Sequence, residues 1–417
     1  MRWARPAPAA WASPCAGRSD GGDLKIVILS NQARSMGNFW SVLIRRMRAA
    51  GHTVICAAPP GDAEAEAALR ALGAEVVNYP LDRKGLNPLR DAESFLALLR
   101  LFRAEKPDLL FATTIKPVIY GSLAARVAGV PRVYATITGL GYAFEADSFF
   151  KKCVNRLGVL LYRLALGHVS GVFFQNQDDL RVFREQGILA PDARVLMARG
   201  GTGVDTARFA PAPFPPLPPE GPVIFLLVGR LLEAKGLREY AEAGRLLKAA
   251  GADCRLELLG PAETGLGGVD LMEIRAWEAE GLLEYLGETR DVRPYIAAAH
   301  VLVLPSWREG TPTSVMEAMS MGRPAIVTDV PGCREVVRDG VNGWLTPPRD
   351  PQALARAMER FVADPALIAR MGAAGRELAL AEFDAERVAA RILKDMGVPE
   401  GPADVAPGAA QNGEEQP

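Results

Sequence analysis

Two acidic residues, Glu309 and Glu317, stand eight positions apart in the segment SWREGTPTSVMEAMSMGRP, Ser306 to Pro324. Two basic ones, Arg230 and Lys235, stand five apart in VGRLLEAKG, Val228 to Gly236. Each oxygen of a carboxylate can accept from one hydroxyl, which suits the paired hydroxyls of a sugar. Two cations together can neutralise a diphosphate leaving group without a metal. Between the acids, Gly310, Thr311 and Pro312 predict a tight turn, and Thr313 or Ser314 can cap a helix that carries Glu317. Such a turn presents backbone N–H groups and the positive end of a helix dipole, a seat for an anion. An anion seat with a hydroxyl-binding carboxylate on each side fits a nucleotide sugar. The residues alone leave a second reading open, with the glutamates as ordinary dipole partners and Arg230 and Lys235 as a solvated helix start.

The elements that must position these groups read as a βα alternation. Continuous apolar runs at Leu24–Ser30, Val54–Pro59, Ala74–Leu81, Asp108–Thr114, Arg132–Gly139 and Gly171–Asn176 predict buried parallel strands. Helical patterns lie between them, at Leu89–Glu105 and Ile119–Ala128 among others. Seven of the thirteen residues from Ala210 to Pro222 are proline, which predicts a stiff connection without helix or strand. A second alternating set follows at Val223–Gly229, Cys254–Gly260, Leu282–Gly287, His300–Ser306 and Pro324–Val330. The expected class is α/β, with two doubly wound sheets facing a central cleft that takes the ligands at the carboxyl ends of the strands. The expected organisation is a disordered extension at 1–23, a first domain at 24–209, the linker at 210–222, a second domain at 223–380, a final helix at 381–398 and a disordered tail at 399–417.

Composition narrows the function. The chain has 417 residues, 49% of them apolar, enough for more than one real core. Its five cysteines are scattered and form no C-x-x-C pair, and its three histidines are far apart. That predicts a reducing compartment and no histidine-based metal centre. No apolar run is long enough to span a bilayer. From Leu24 to Asp205 there are 23 Lys and Arg against 16 Asp and Glu; from Thr206 onward there are 22 against 31. A basic first half is expected to meet something anionic. No basic module interleaved with aromatics is present, so nucleic acid is a poor fit.

Glu309-x7-Glu317, followed by AMSMGRPAIVTDVPGCREVVRDGVNGWLTPP (Ala318–Pro348) and preceded by the Gly-Arg and Lys of Val228–Gly236, closely resembles the signature of glycosyltransferase family 4. Members are retaining, nucleotide-sugar-dependent enzymes of the GT-B fold, and the resemblance covers nearly everything from Leu24 to Met396. It implies that Arg230 and Lys235 hold the pyrophosphate. It implies that Glu317 holds the ribose hydroxyls and that Glu309 contacts the transferred sugar near its reacting carbon. With the turn read above and Gly37 of the first domain, the expected donor site is Gly37, Arg230, Lys235, Glu309, Gly310, Thr311, Pro312, Thr313 and Glu317. It also implies that the last helix crosses back onto the first domain. The combination of IKPVIYGSLAARVAGV (Ile115–Val130) and ITGLG (Ile137–Gly141) is similar to the branch that adds a sugar, often an N-acetylated hexosamine, to undecaprenyl-diphosphate-linked sugars in bacterial surface-glycan assembly. The donor is then a UDP-sugar, with no cofactor or metal required.

The first domain supplies further candidates. Gly37, in the loop expected after the opening strand, lets the backbone approach a ligand. Lys116, Tyr120, Thr138 and Gly139 leave the fourth and fifth strands at their cleft ends and are expected to face the acceptor. Lys116 is placed near an acceptor phosphate, with a structural role as the alternative. Many family members carry a histidine in the fifth-strand loop, whereas this chain reads Ile137-Thr138-Gly139 there. The expected mechanism is therefore front-face displacement, in which the leaving phosphate takes the acceptor proton.

Two basic amphipathic stretches, Phe149–Val169 and Phe39–Arg48, predict peripheral contact with the inner face of the cytoplasmic membrane; ordinary helices packed on the sheet are the alternative. Two other functions share the pattern. One is a nucleotide-sugar epimerase, and the other is a non-catalytic nucleotide-sugar-binding subunit.

Overall fold

In the computed structural model the described residues are 22–83, 85, 87–139, 149–263, 265 and 267–400, with backbone alone for 149–154. Of the terminal segments expected to be disordered, 1–23 and 399–417, residues 1–21 and 401–417 lie outside them, as does Gly141, while 22–23 and 399–400 are described. Each sheet is built from the apolar runs. The first contains β1 (Lys25–Leu29), β2 (Thr53–Ala58), β3 (Glu75–Asn78), β4 (Leu109–Thr113), β5 (Arg132–Ile137), β6 (Gly171–Phe174) and β7 (Val195–Met197), in the order 3-2-1-4-5-6-7. β1 pairs in parallel with β2 and β4, β2 with β3, and β6 with β7. The second contains β8 (Val223–Val228), β9 (Cys254–Leu259), β10 (Glu284–Tyr285), β11 (Val301–Leu304), β12 (Ala325–Thr328) and β13 (Gly343–Thr346), in the order 10-9-8-11-12-13, with its pairs parallel.

Both orders reverse direction once, between β1 and β4 and between β8 and β11. In a doubly wound sheet that switch point is where the loops at the carboxyl ends diverge and leave room for a ligand. Arg230 follows β8 and Glu309 follows β11, so the two chemical segments of the second sheet flank its switch point. Two strands are additions to the sequence reading. β7 and β13 are edge strands of three and four residues. Neither carries a run of apolar residues long enough to stand out.

The chain divides into two compact units. The first takes the residues up to Ala135, His168–Ser170 and those from Met396 onward; the second takes Thr136–Gly167 and Gly171–Asp395. The boundary therefore falls inside β5. Within the first unit the residues after Met396 are held by side chains of the sheet. Tyr134 donates to the Met396 carbonyl at 3.1 Å, Arg132 donates to the Gly397 carbonyl at 3.2 Å, and His52 Nε2 lies 3.0 Å from the Pro399 carbonyl.

Residues 210–222 form neither helix nor strand, as their prolines dictate, yet they are not a free linker. Arg323 is 1% exposed and donates to the carbonyls of Ala212 (2.6 Å), Pro213 (2.7 Å), Ala297 (2.8 Å), Ala299 (3.2 Å) and Met321 (2.7 Å). Its guanidinium also stacks 4.5 Å from the Phe214 ring centre. No carboxylate is among these partners, so the desolvated cation is satisfied by carbonyl dipoles alone, and burial lowers its pKa to about 10. Arg323→Ala would remove the donor to five carbonyls, of which those of Ala299 and Met321 are buried. It is expected to cost about 3 kcal/mol or more of unfolding free energy, read from urea midpoints. A loss below about 1 kcal/mol would show that the strap does not depend on Arg323.

Candidate active site

β8 runs out at Gly229 and Arg230, and a short 3-10 turn, Glu233–Lys235, brings the chain back toward β11. Gly236 ends that turn at φ +73°, and a Cβ there would lie 2.1 Å from the Pro305 carbonyl oxygen. Only glycine allows this left-handed conformation and this close approach together. The Trp307 amide donates to the Ala234 carbonyl at 2.9 Å, tying the two segments side by side. Lys235 consequently reaches Glu309, and its Nζ lies 2.5 Å from Oε1. The pair is largely buried, with side chains 22% and 13% exposed. Arg230 is more open, 58% exposed, and pairs with Glu263 at 3.1 Å. The structure thus brings together Lys235 and Glu309. It does not leave two free cations side by side, because each carries a carboxylate partner.

The turn after Glu309 is shaped by close contacts. A Cβ on Gly310 would lie 2.2 Å from the Thr138 carbonyl oxygen, and one on Gly332 would lie 2.4 Å from the Gly310 carbonyl oxygen. A Cβ on Gly139, at φ +133°, would lie 3.9 Å from the Gly310 Cα. Thr138 and Gly139, expected on the acceptor side, are therefore neighbours of the Gly310 turn within the second unit.

The helix that follows is Thr313–Ser320, with Pro312 at its N-cap and no side-chain cap. The expected capping by Thr313 or Ser314 does not occur, because both are already inside the first turn. The first backbone bond runs from Met316 N–H to the Pro312 carbonyl. The N–H groups of Thr313, Ser314 and Val315 are thus without an intrahelical acceptor, as at any helix start. Three buried polar atoms near Glu309 in the chain, Ser306 Oγ, Arg308 Nε and Thr311 Oγ1, have no hydrogen-bond partner among the described residues.

Glu317 lies in the second turn of this helix. It is part-exposed, and among the described residues its carboxyl makes no hydrogen bond or ion pair. Burial of that carboxyl pushes its pKa up to about 7, against a smaller opposing pull from Arg208. Cys333, fully buried nearby, has its thiol pKa raised by burial, which disfavours the reactive thiolate. Among the described residues no group of three or more His, Cys, Asp or Glu side chains is arranged to hold a metal ion.

Three expectations in the first domain are corrected. Gly37 lies inside the helix Ala33–Phe39, not in a loop, and its φ is not positive. Lys116 uses its three donors on the Asp82 and Gly85 carbonyls, both at 2.8 Å, and on Asp91 Oδ1 at 2.6 Å. Tyr120 donates to the other oxygen of Asp91 at 2.8 Å. The structural alternative therefore fits Lys116, which pins the chain before the helix Pro88–Glu105 and is not a free cation, and Tyr120 shares its Asp91 partner.

The chain is similar to known glycosyltransferases over most of its length. Residues 36–201 match the family model described as "Glycosyl transferase 4-like domain", and residues 222–364 match "Glycosyl transferases group 1". The putative glycosyltransferase EpsD of Bacillus subtilis is 31% identical over 324 residues, 75% of this chain and 82% of the relative. The N,N'-diacetylbacillosaminyl-diphospho-undecaprenol alpha-1,3-N-acetylgalactosaminyltransferase of Campylobacter jejuni is 25% identical over 89% of this chain and 98% of its own length. The UDP-Gal:alpha-D-GlcNAc-diphosphoundecaprenol alpha-1,3-galactosyltransferase of Escherichia coli is 27% identical over 68% and 74%. Among solved structures, sucrose-phosphate synthase from Thermosynechococcus elongatus superposes with a TM-score of 0.74 at 20% identity, covering 89% of this chain and 98% of that one. The chain belongs to the group 1, family 4-like glycosyltransferases and has the GT-B fold. It is a transferase, and the epimerase and non-catalytic readings are set aside.

Proposed function

We propose that this enzyme moves an N-acetylhexosamine or related sugar from a UDP-sugar to a polyprenyl-diphosphate-linked sugar, with retention at the anomeric carbon. The reading is carried by the Lys235–Glu309 pair at the switch point, next to a helix start whose amides have no intrahelical acceptor. Lys235, the more exposed Arg230 and the amides of the Gly310–Val315 segment would receive the diphosphate. Glu317, whose carboxyl has no hydrogen-bond partner among the described residues, would accept from the ribose hydroxyls. Glu309 would lie against the transferred sugar and stabilise the positive charge that develops at its reacting carbon. The leaving phosphate would take the proton of the incoming hydroxyl, so no protein base is needed. Fixed charges and dipoles of the chain supply the stabilisation, and no metal is required on this account.

The acceptor class is supported by two of the relatives, whose names both specify a diphospho-undecaprenol-linked sugar while differing in the sugar donated. Placement at the inner face of the cytoplasmic membrane is supported by the helix Phe149–Leu166. Leu157, Leu160 and Leu164 are 57%, 49% and 49% exposed on one stripe, with Arg156 exposed beside them. An apolar stripe edged by cations suits an anionic lipid surface. No helix among the described residues is long and apolar enough to cross a membrane.

The test is a screen of UDP-sugars against polyprenyl-diphosphate-linked acceptors, read by mass spectrometry, with and without EDTA. The expected result is α-linked addition of an N-acetylhexosamine to the lipid-linked sugar, unchanged by EDTA. Transfer to soluble acceptors alone would refute the lipid assignment. Loss of activity in EDTA, restored by a divalent ion, would refute the metal-free account.

A further inference from the structure

Arg308, next to Glu309 in the chain, reaches a partner 129 positions away: its Nη2 donates to Oδ1 of Asp179. The Asp179 side chain is 1% exposed and that of Arg308 is 31% exposed, so the carboxylate is desolvated and the guanidinium is its counter-charge. Asp179 sits in the first turn of the helix Gln177–Glu185. Asn176 caps that helix, accepting from the Asp179 amide at 2.8 Å. The same Asn176 side chain donates to Asp179 Oδ2 at 3.1 Å and to the Gly310 carbonyl at 3.3 Å. The residues on either side of Glu309 are thus tied to one helix start, and the Glu309 amide donates to the Pro331 carbonyl at 3.2 Å. All these residues lie in the second unit.

The strength of this arrangement follows from burial. A desolvated carboxylate stripped of its cation is costly, so Asp179 holds Arg308 in one geometry more firmly than a surface pair would. With residues 308 and 310 fixed, the Glu309 side chain can vary only through its own rotamer, which the bond to Lys235 selects. Transfer depends steeply on such placement, because an error of about 1 Å at a reacting centre costs about a hundredfold in rate.

We propose that Asp179, acting through Arg308, is a positioning residue for Glu309 in the sugar-transfer step. This rests on the role given to Glu309 above. The test compares Asp179→Asn and Arg308→Gln with wild type, each alone and in a Glu309→Gln background, with melting temperatures measured in parallel. Arg308 is the more exposed partner, so its variant keeps the test usable if the Asp179 variant is poorly folded.

Each single variant is expected to lower kcat by about tenfold or more with donor KM within about threefold, and to add little once Glu309 is already replaced. Turnover within about threefold of wild type would overturn the proposal. So would a change in KM alone, or the same rate factor in the Glu309→Gln background. A fall in Tm beyond about 5 °C in Arg308→Gln that accounts for its lost activity would assign the pair to stability instead. If Glu309→Gln itself turns over normally, the catalytic reading of Glu309 fails. If Glu309→Gln is impaired and Asp179→Asn and Arg308→Gln are not, only the positioning role fails.

Discussion

Lys235→Ala is expected to lower donor kcat/KM by about 10²- to 10³-fold with the fold intact, the effect of deleting one fixed charge that stabilises a transition-state anion. Lys235 serves two ends in this site. It is the least solvated cation near the anion seat, and it holds Glu309 through a 2.5 Å contact. Glu309→Ala is expected to cost a comparable factor. Because the two side chains touch, the double variant should be far less impaired than the product of the single effects. Arg230→Ala should cost less, since Arg230 is 58% exposed and already engaged by Glu263. Steady-state kinetics on the three variants checks the ranking. Near-normal turnover by Lys235→Ala would remove the proposed diphosphate grip.

Glu317→Gln is expected to change binding and stability in opposite directions. The Glu317 carboxyl is raised from an ordinary 4.5 to about 7 by burial, so the folded protein prefers its neutral form. Stability from this group is therefore fully present below about pH 4.5 and is lost as pH rises through 7. Above that, the buried charge costs up to about 3 kcal/mol, less whatever its partial exposure returns. Glutamine carries no such charge. The variant should melt several degrees above wild type at pH 8, and the gap should close toward pH 5. Its donor KM should rise about tenfold or more, because hydrogen bonds from hydroxyls to a carboxylate are stronger than those to an amide. The wild-type donor KM should fall as pH rises through 7, since the ionised form is the better acceptor. Equal melting curves at pH 8, or an unchanged KM, would contradict the assignment of Glu317.

The sequence made the central strands legible because a strand covered on both faces must be apolar without interruption, as KIVIL and VIFLLV are. Edge strands lack that constraint. GWLT, half of whose residues are only part-buried, and the three-residue VLM left no comparable signal. Local chemistry was legible where it depends on neighbours in the chain: Gly310 sits in a tight turn and Glu317 one turn into the helix. It failed where partners are distant in sequence. Lys116 looked like a free cation because Asp91, 25 positions earlier, gives no sign of folding over it. Gly37 looked like a loop residue because one glycine does not break a helix that is packed at its Ala33 and Met36 side chains. The Arg308–Asp179 pair has no local signature at all, since an acidic residue in a first helical turn is ordinarily a dipole partner.

A crystal structure with bound UDP tests most directly where the second unit holds an activated sugar's pyrophosphate. The predicted result places diphosphate oxygens within hydrogen-bond distance of Lys235 Nζ and of backbone N–H groups between Gly310 and Val315, with the ribose hydroxyls on Glu317. A diphosphate bound away from Lys235 and the Gly310 turn would contradict it.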